Sequence, residues 1–108
     1  MIFQLGAALL DVCVLAILSR GETYGYILTQ KIKEIIDVSE STLYPVLRRL
    51  QKDDCLTTHD VPFQGRNRRY YKITAKGIEK LDASLLEWEE YKTKIDTILL
   101  GGNDDEQK

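Results

Sequence analysis

Arg48, Arg49 and Lys52 stand within five consecutive residues, and Arg66, Arg68 and Arg69 within four. A guanidinium offers a planar fork of N–H donors that fits phosphate oxygens and the O6/N7 edge of guanine, and it stays charged at any physiological pH. Ser41, Thr42 and Tyr44 precede the first cluster and add hydroxyl donors. This is the chemistry of holding a polyanion. It makes and breaks no covalent bond.

Nothing else in the chain competes with that reading. His59 is the single histidine, and Cys13 and Cys55 are the only cysteines, far apart and without CxxC spacing. A structural zinc site takes about four Cys or His ligands, so no metal is expected. No Ser/His/Asp or Cys/His set assembles around His59, and no glycine-rich phosphate loop is present. The chain is therefore expected to be neither an enzyme nor the holder of a cofactor. Cys13, in an apolar run, reads as a small buried hydrophobe, and Cys55 is more readily a buried residue than a reactive one.

The charge total hides where the charge lies. Fifteen Lys and Arg against seventeen Asp and Glu leave a net −2 over 108 residues. By segment, residues 1–40 carry −2, residues 41–76 carry +5, and residues 77–108 carry −5. One basic stretch, holding both arginine clusters, sits inside an acidic protein. Such an asymmetry says more about partners than the total does.

The elements that must position these groups follow from periodicity. Leu5–Leu18 is apolar nearly all round, which predicts a helix buried against more than one neighbour, closed by Gly21. Residues 1–18 are very apolar, but Gln4 and Asp11 interrupt them and no basic leader precedes them, which favours a core helix over a membrane span or signal peptide. The cytoplasm is the expected compartment, with reduced thiols. A second helix from about Thr23 shows Tyr24, Ile27, Leu28, Ile32, Ile35 and Ile36 on one face. A third, about Glu40 to Asp53 and capped by Ser39 or Ser41, stripes Leu43, Val46, Leu47 and Leu50 on one side. The opposite side carries Ser41, Tyr44, Pro45, Arg48 and Lys52, with Arg49 on the flank. Pro45 removes a helix hydrogen bond and is expected to bend the first turns. Two short strands are expected at about Cys55–His59 and Asn67–Ile73, joined by a Pro62- and Gly65-containing loop. Thr74 then caps a long helix with Ile78, Leu81, Leu85, Trp88, Ile95 and Leu99 at heptad a and d spacing and Lys92 in the vacant a slot. A buried unpaired ammonium is costly, so Lys92 is expected to reach Asp11, Asp96 or water.

Three helices followed by a hairpin is the element order of a winged helix-turn-helix. The expected class is mainly α with a small β-hairpin, plus a C-terminal dimerisation helix. Residues 1–74 would form the DNA-binding domain, 75–100 the dimerisation helix, and 101–108 a polar tail. The third helix would enter the major groove of double-stranded DNA while the hairpin reaches an adjacent groove or the backbone. A solvated basic face is the alternative for either cluster taken singly. Both clusters fall on the elements this architecture turns toward DNA.

Four segments taken in order, Leu10–Leu18, Gly21–Tyr26, Ser41–Leu50 (STLYPVLRRL) and Arg68–Gly77 (RRYYKITAKG), resemble the PadR family of transcriptional regulators, over about residues 9–100. The resemblance implies a homodimeric repressor whose third helix and wing contact a palindromic operator and whose last helix packs on the partner. Asp54 stands where the family usually places Gly, and a slight backbone strain is expected there. The single short C-terminal helix is similar to the small multidrug-responsive subfamily of the lactococcal type. That likeness implies that Trp88 of both subunits flanks a pore for a planar aromatic small molecule, lined by Val12, Ala16, Ser84, Leu85 and Lys92. Two other readings stay open at this point. One is a winged helix that docks proteins; the other is a regulator whose seam binds no effector.

Overall fold

The computed structural model describes residues 6–101. In chain order it comprises α1 (Ala7–Leu18), β1 (Thr23–Tyr24), α2 (Gly25–Lys33), α3 (Glu40–Lys52), β2 (Leu56–Phe63), β3 (Arg66–Ile73) and α4 (Ala75–Leu100). The all-round apolar pattern of α1 has the expected consequence: the helix is central. Leu10, Val14, Leu15 and Leu18 are at most 2% exposed, and α1 packs against α2, α3, α4 and β3. The expected first residue, Leu5, lies outside the described residues. So do positions 102–108 of the expected tail.

Helix α3 presents its stripe to this core, with Leu43, Val46, Leu47 and Leu50 all buried. Each such side chain contributes about 2 kcal/mol by leaving water. Ser39 caps it by accepting a hydrogen bond from the Thr42 amide at 3.3 Å, and the helix continues through Pro45. Its far end closes on the backbone. The Asp54 amide donates to the Gln51 carbonyl (3.0 Å) and the Cys55 amide to the Leu50 carbonyl (2.9 Å). That pair of bonds is a Schellman motif, and it requires a left-handed residue between them. Asp54 occupies that place with φ +63°. Asp54→Gly is therefore expected to stabilise the fold by about 1 kcal/mol, readable as a raised thermal midpoint in circular dichroism.

The sheet departs from the expected hairpin in two ways. It has three antiparallel strands in the order β1-β3-β2, because Thr23 and Tyr24 pair with Tyr71 and Tyr70. The second expected helix consequently starts at Gly25, and it ends at Lys33. The wing strands also run further than expected. Leu56–Phe63 pairs in full register with Arg66–Ile73, and only Gln64 and Gly65 turn the chain. Both turn residues have positive φ, 51° and 79°, the hand that matches the twist of a tight hairpin. Pro62, taken as a turn residue, lies in β2 opposite Asn67. β2 is an edge strand, where a missing N–H is tolerated.

The joint between α3, the sheet and α4 is tightly built. Thr74 caps α4 by accepting from the Gly77 amide (3.0 Å). Its hydroxyl also donates to the Asp54 carbonyl (2.7 Å), and its amide to that of Cys55 (3.0 Å). The base of the last helix is thus tied to the end of α3. Gly101, at φ +66°, ends α4. No helix among the described residues is long and apolar enough to cross a membrane.

Candidate nucleic-acid interface

Because α3 buries its aliphatic stripe, its other side is left to solvent. Ser41, Thr42, Tyr44, Arg48, Arg49 and Lys52 are all exposed. The Ser39 hydroxyl lies 3.0 Å from those of both Ser41 and Thr42, so three hydroxyls cluster at the positive end of the helix dipole, where an anion is favoured. Arg48 and Lys52 form no ion pair among the described residues.

Arg49 differs. Its guanidinium reaches back to Asp11 of α1 as a charge-assisted hydrogen bond. Asp11 had been assigned to Lys92 as one possible partner, and that expectation is corrected. Arg49 projects from the flank of α3 toward α1, whereas Lys92 pairs with Glu89 one turn away at 3.4 Å.

The alternation of β3 sorts the wing cations onto two faces. Arg69 is opposite Asp60 and bonds to it at 3.3 Å. Arg68, on the outer face, lies between two rings: its guanidinium carbon is 3.6 Å from the centroid of Phe63 and 4.3 Å from that of Tyr24. Cation–π contact of this kind holds a guanidinium in place while leaving its edge free to donate. Tyr70 continues the row, with His59 stacked on it at 5.4 Å and Tyr24 tilted at 5.5 Å. Arg66, next to the turn, is exposed and forms no ion pair among the described residues.

The wing and the first turns of α3 meet at Tyr44. An open groove of about 750 Å³ runs between them, with Tyr44 of α3 on one wall and Phe63, Arg66, Arg68 and Arg69 of the wing on the other. Tyr24, Gly25 and Tyr71 lie at its inner end. Burial pushes the Tyr71 phenol above its usual range, with Arg69 opposing, so this hydroxyl stays a neutral donor. Arg66 thus lines this concavity, while Arg48 stands outside its lining, exposed one helical turn beyond Tyr44. Phe63 and Tyr24 as props for Arg68 were not anticipated; the signal was their shared outer face, visible only once the register was known.

The second surface is α4. Gly77 and Leu81 are its buried residues. Of the expected seam, Ile78, Leu85, Trp88 and Leu99 are 45%, 44%, 36% and 70% exposed and Ile95 is half-buried, while Leu81 is spent on the chain's own core. Beside the seam, α1 and α4 enclose a groove of about 300 Å³. Val12, Ser84 and Trp88 line it, together with Asp11, Glu87 and Tyr91. Ala16, Leu85 and Lys92 are not part of its lining. Neither cysteine lines either groove: Cys55 is buried and Cys13, expected to be buried, is half-buried, and that burial raises the Cys13 thiol above its ordinary range, which disfavours the reactive thiolate. No group of three or more His, Cys, Asp or Glu among the described residues is arranged to hold a metal ion.

Comparison with known proteins agrees with this arrangement. The profile of the transcriptional regulator PadR-like family matches residues 14–83. A protein of Streptococcus mutans UA159 of solved structure is 42% identical and superposes with a TM-score of 0.85 over 94% of this chain and 95% of its own. A PadR-like transcriptional regulator of Bacillus cereus is 35% identical, with a TM-score of 0.75 over 84% and 91% of the two chains. An uncharacterized protein of Lysinibacillus sphaericus is 34% identical across 85% of this chain and 89% of its own length.

Proposed function

The chain belongs to the PadR-like family of transcriptional regulators, and from that premise we propose that it is a homodimeric repressor of sequence-specific, double-stranded DNA binding. The observation that carries the proposal is the groove between Tyr44 of α3 and the wing, lined by Arg66, Arg68 and Arg69, with Arg48 exposed one helical turn beyond Tyr44. In a two-fold dimer the two α3 helices enter successive major grooves, about 34 Å apart, on a palindromic operator. Ser41, Thr42 and Tyr44 donate to phosphates near the start of α3, Arg48 and Lys52 reach base edges or phosphates, and Arg66 and Arg68 follow the backbone or minor groove. The stretch 77–108 carries −5 against +5 for residues 41–76, so the charge asymmetry along the chain orients the protein on the polyanion.

The exposed aliphatic row of α4 supplies the dimer seam, and the groove beside Trp88 receives a flat aromatic effector. A ligand there releases the repressor by favouring a dimer geometry in which the two α3 helices are wrongly spaced. The joint at Thr74, which ties α4 to the end of α3, makes such a change of spacing transmissible.

Selection of binding sites from random duplex DNA by the purified protein tests the reading, with an inverted repeat as the expected product. Enrichment of no sequence would instead mark the basic face as a docking surface for an acidic protein. On the selected duplex, Arg48→Ala is expected to cost about 1–3 kcal/mol and to relax specificity at one position. Arg66→Ala is expected to weaken all duplexes evenly and to reduce the slope of log affinity against log salt by about one. Fluorescence anisotropy at several salt concentrations reads both.

A further inference from the structure

Asp11 belongs to two places at once. It lies in the lining of the α1–α4 groove, beside Trp88, Tyr91 and Glu87. Its carboxylate also accepts the hydrogen bond of Arg49, which reaches it from α3. The pair is asymmetric in exposure: the Asp11 side chain is 12% exposed and that of Arg49 is 42%. The carboxylate is the desolvated member and depends on its cation, while the guanidinium lies open on the side of α3. A groove that sets the rings of Trp88 and Tyr91 and the acidic residues Asp11 and Glu87 against the single basic residue Lys80 suits an aromatic cation.

We propose that the Asp11 carboxylate is shared between the groove and α3, so that an aromatic cation lodged in the groove competes with Arg49 for it and weakens the attachment of α3 to α1. This rests on the reading of the α1–α4 groove as a ligand site, and it adds the charge of the ligand and the contact through which the groove speaks to DNA. One carboxylate cannot fully compensate two cations. Binding of the cation therefore draws on the interaction that holds Arg49 and, through it, the pose of α3. Linkage makes the effect reciprocal: operator DNA that needs α3 in its attached pose lowers the affinity of the groove for the cation by the same factor. A neutral ligand of the same shape packs on the rings of Trp88 and Tyr91 and leaves the pair alone. The groove thus discriminates by charge in its output even where it does not in its binding.

The test uses 2-naphthylmethylammonium chloride and its neutral counterpart 2-naphthylmethanol, at equal total chloride. Binding is read by quenching of Trp88, the sole tryptophan, and DNA affinity by anisotropy on the selected duplex. The expected result is that both compounds quench, and only the ammonium weakens DNA binding, by about fivefold or more. Asp11→Asn is expected to bring that factor below about twofold, as is Arg49→Gln. The latter keeps the carboxylate and is expected to bind the ammonium more tightly. Quenching without loss of DNA affinity, equal weakening by the neutral compound, or an undiminished factor in both variants would overturn the shared carboxylate while leaving the ligand groove standing. No quenching by either compound at millimolar concentration overturns both.

Discussion

Gly77→Ala is expected to lower the thermal unfolding midpoint by more than about 10 °C. Helix propensity points the other way, since alanine in place of an interior glycine gains about 1 kcal/mol. Packing decides the sign. A Cβ at this position would stand 2.3 Å from the carbonyl oxygen of Cys55 and 2.7 Å from Cγ1 of Ile73. The oxygen is main chain and is already committed, because it accepts from the Thr74 amide. It cannot retreat without loosening the tie between α3 and α4, and Cys55 itself is buried. Forcing a methyl into such a site costs about 3 kcal/mol net, which for a chain of this size corresponds to well over 10 °C at roughly 4–8 °C per kcal/mol. The measurement is circular dichroism at 222 nm on both proteins at one fixed concentration, since the proposed self-association would make the midpoint depend on it. An unchanged or raised midpoint would show that the base of α4 can slide, and with it that the spacing of the two α3 helices is not held at this joint.

That joint also shows what the sequence could and could not disclose. The helices were legible because their information is periodic and local: the stripe of α3 and the heptad row of α4 need no partner to be seen. Arg48, Lys52 and the hydroxyls follow from the same arithmetic, being whatever the buried stripe leaves outside. The strand β1 was not legible, since two residues carry no alternation and it exists only by pairing with Tyr70 and Tyr71 some 47 residues later. Pro62 misled for a physical reason. Proline usually punctuates, but the outer edge of a sheet asks nothing of its N–H, and the turn was instead set by two residues of positive φ. The roles of Arg49 and Lys92 were the least accessible. Arg49 sits on the flank of its helix, and which neighbour claims it depends on the crossing of α1 and α3, with 38 residues separating Arg49 from Asp11. Lys92 instead pairs within its own helix, with Glu89, and keeps 45% of its side chain in water.

The largest effect on DNA binding is expected far from the proposed DNA contacts, from Leu85→Glu. Leu85 is 44% exposed in the single chain, and of the neighbouring seam positions only Leu81 is drawn into the chain's own core. A glutamate at 85 therefore leaves the folded protomer intact, because the carboxylate meets water there. In the two-fold dimer the same residue appears twice across the axis, and two desolvated carboxylates near one another cost several kcal/mol each without a partner cation. Lys80 and Lys92 are the nearest basic residues on α4 by sequence, and Lys92 already pairs with Glu89. The expected outcome is a monomer with a wild-type circular dichroism spectrum and reduced affinity for the selected palindrome by about 10²–10⁴-fold, the factor that an intramolecular second binding event supplies. Affinity for an isolated half-site should hardly change, because α3 and the wing are untouched. Sedimentation gives the mass, and anisotropy on full-site and half-site duplexes gives the two affinities. A dimeric Leu85→Glu protein with undiminished full-site binding would place the subunit contact elsewhere than on α4. Loss on both duplexes alike would mean that the seam acts on the pose of α3 itself and not merely on the spacing of two copies, since a purely bivalent effect cannot appear on a site that only one protomer occupies.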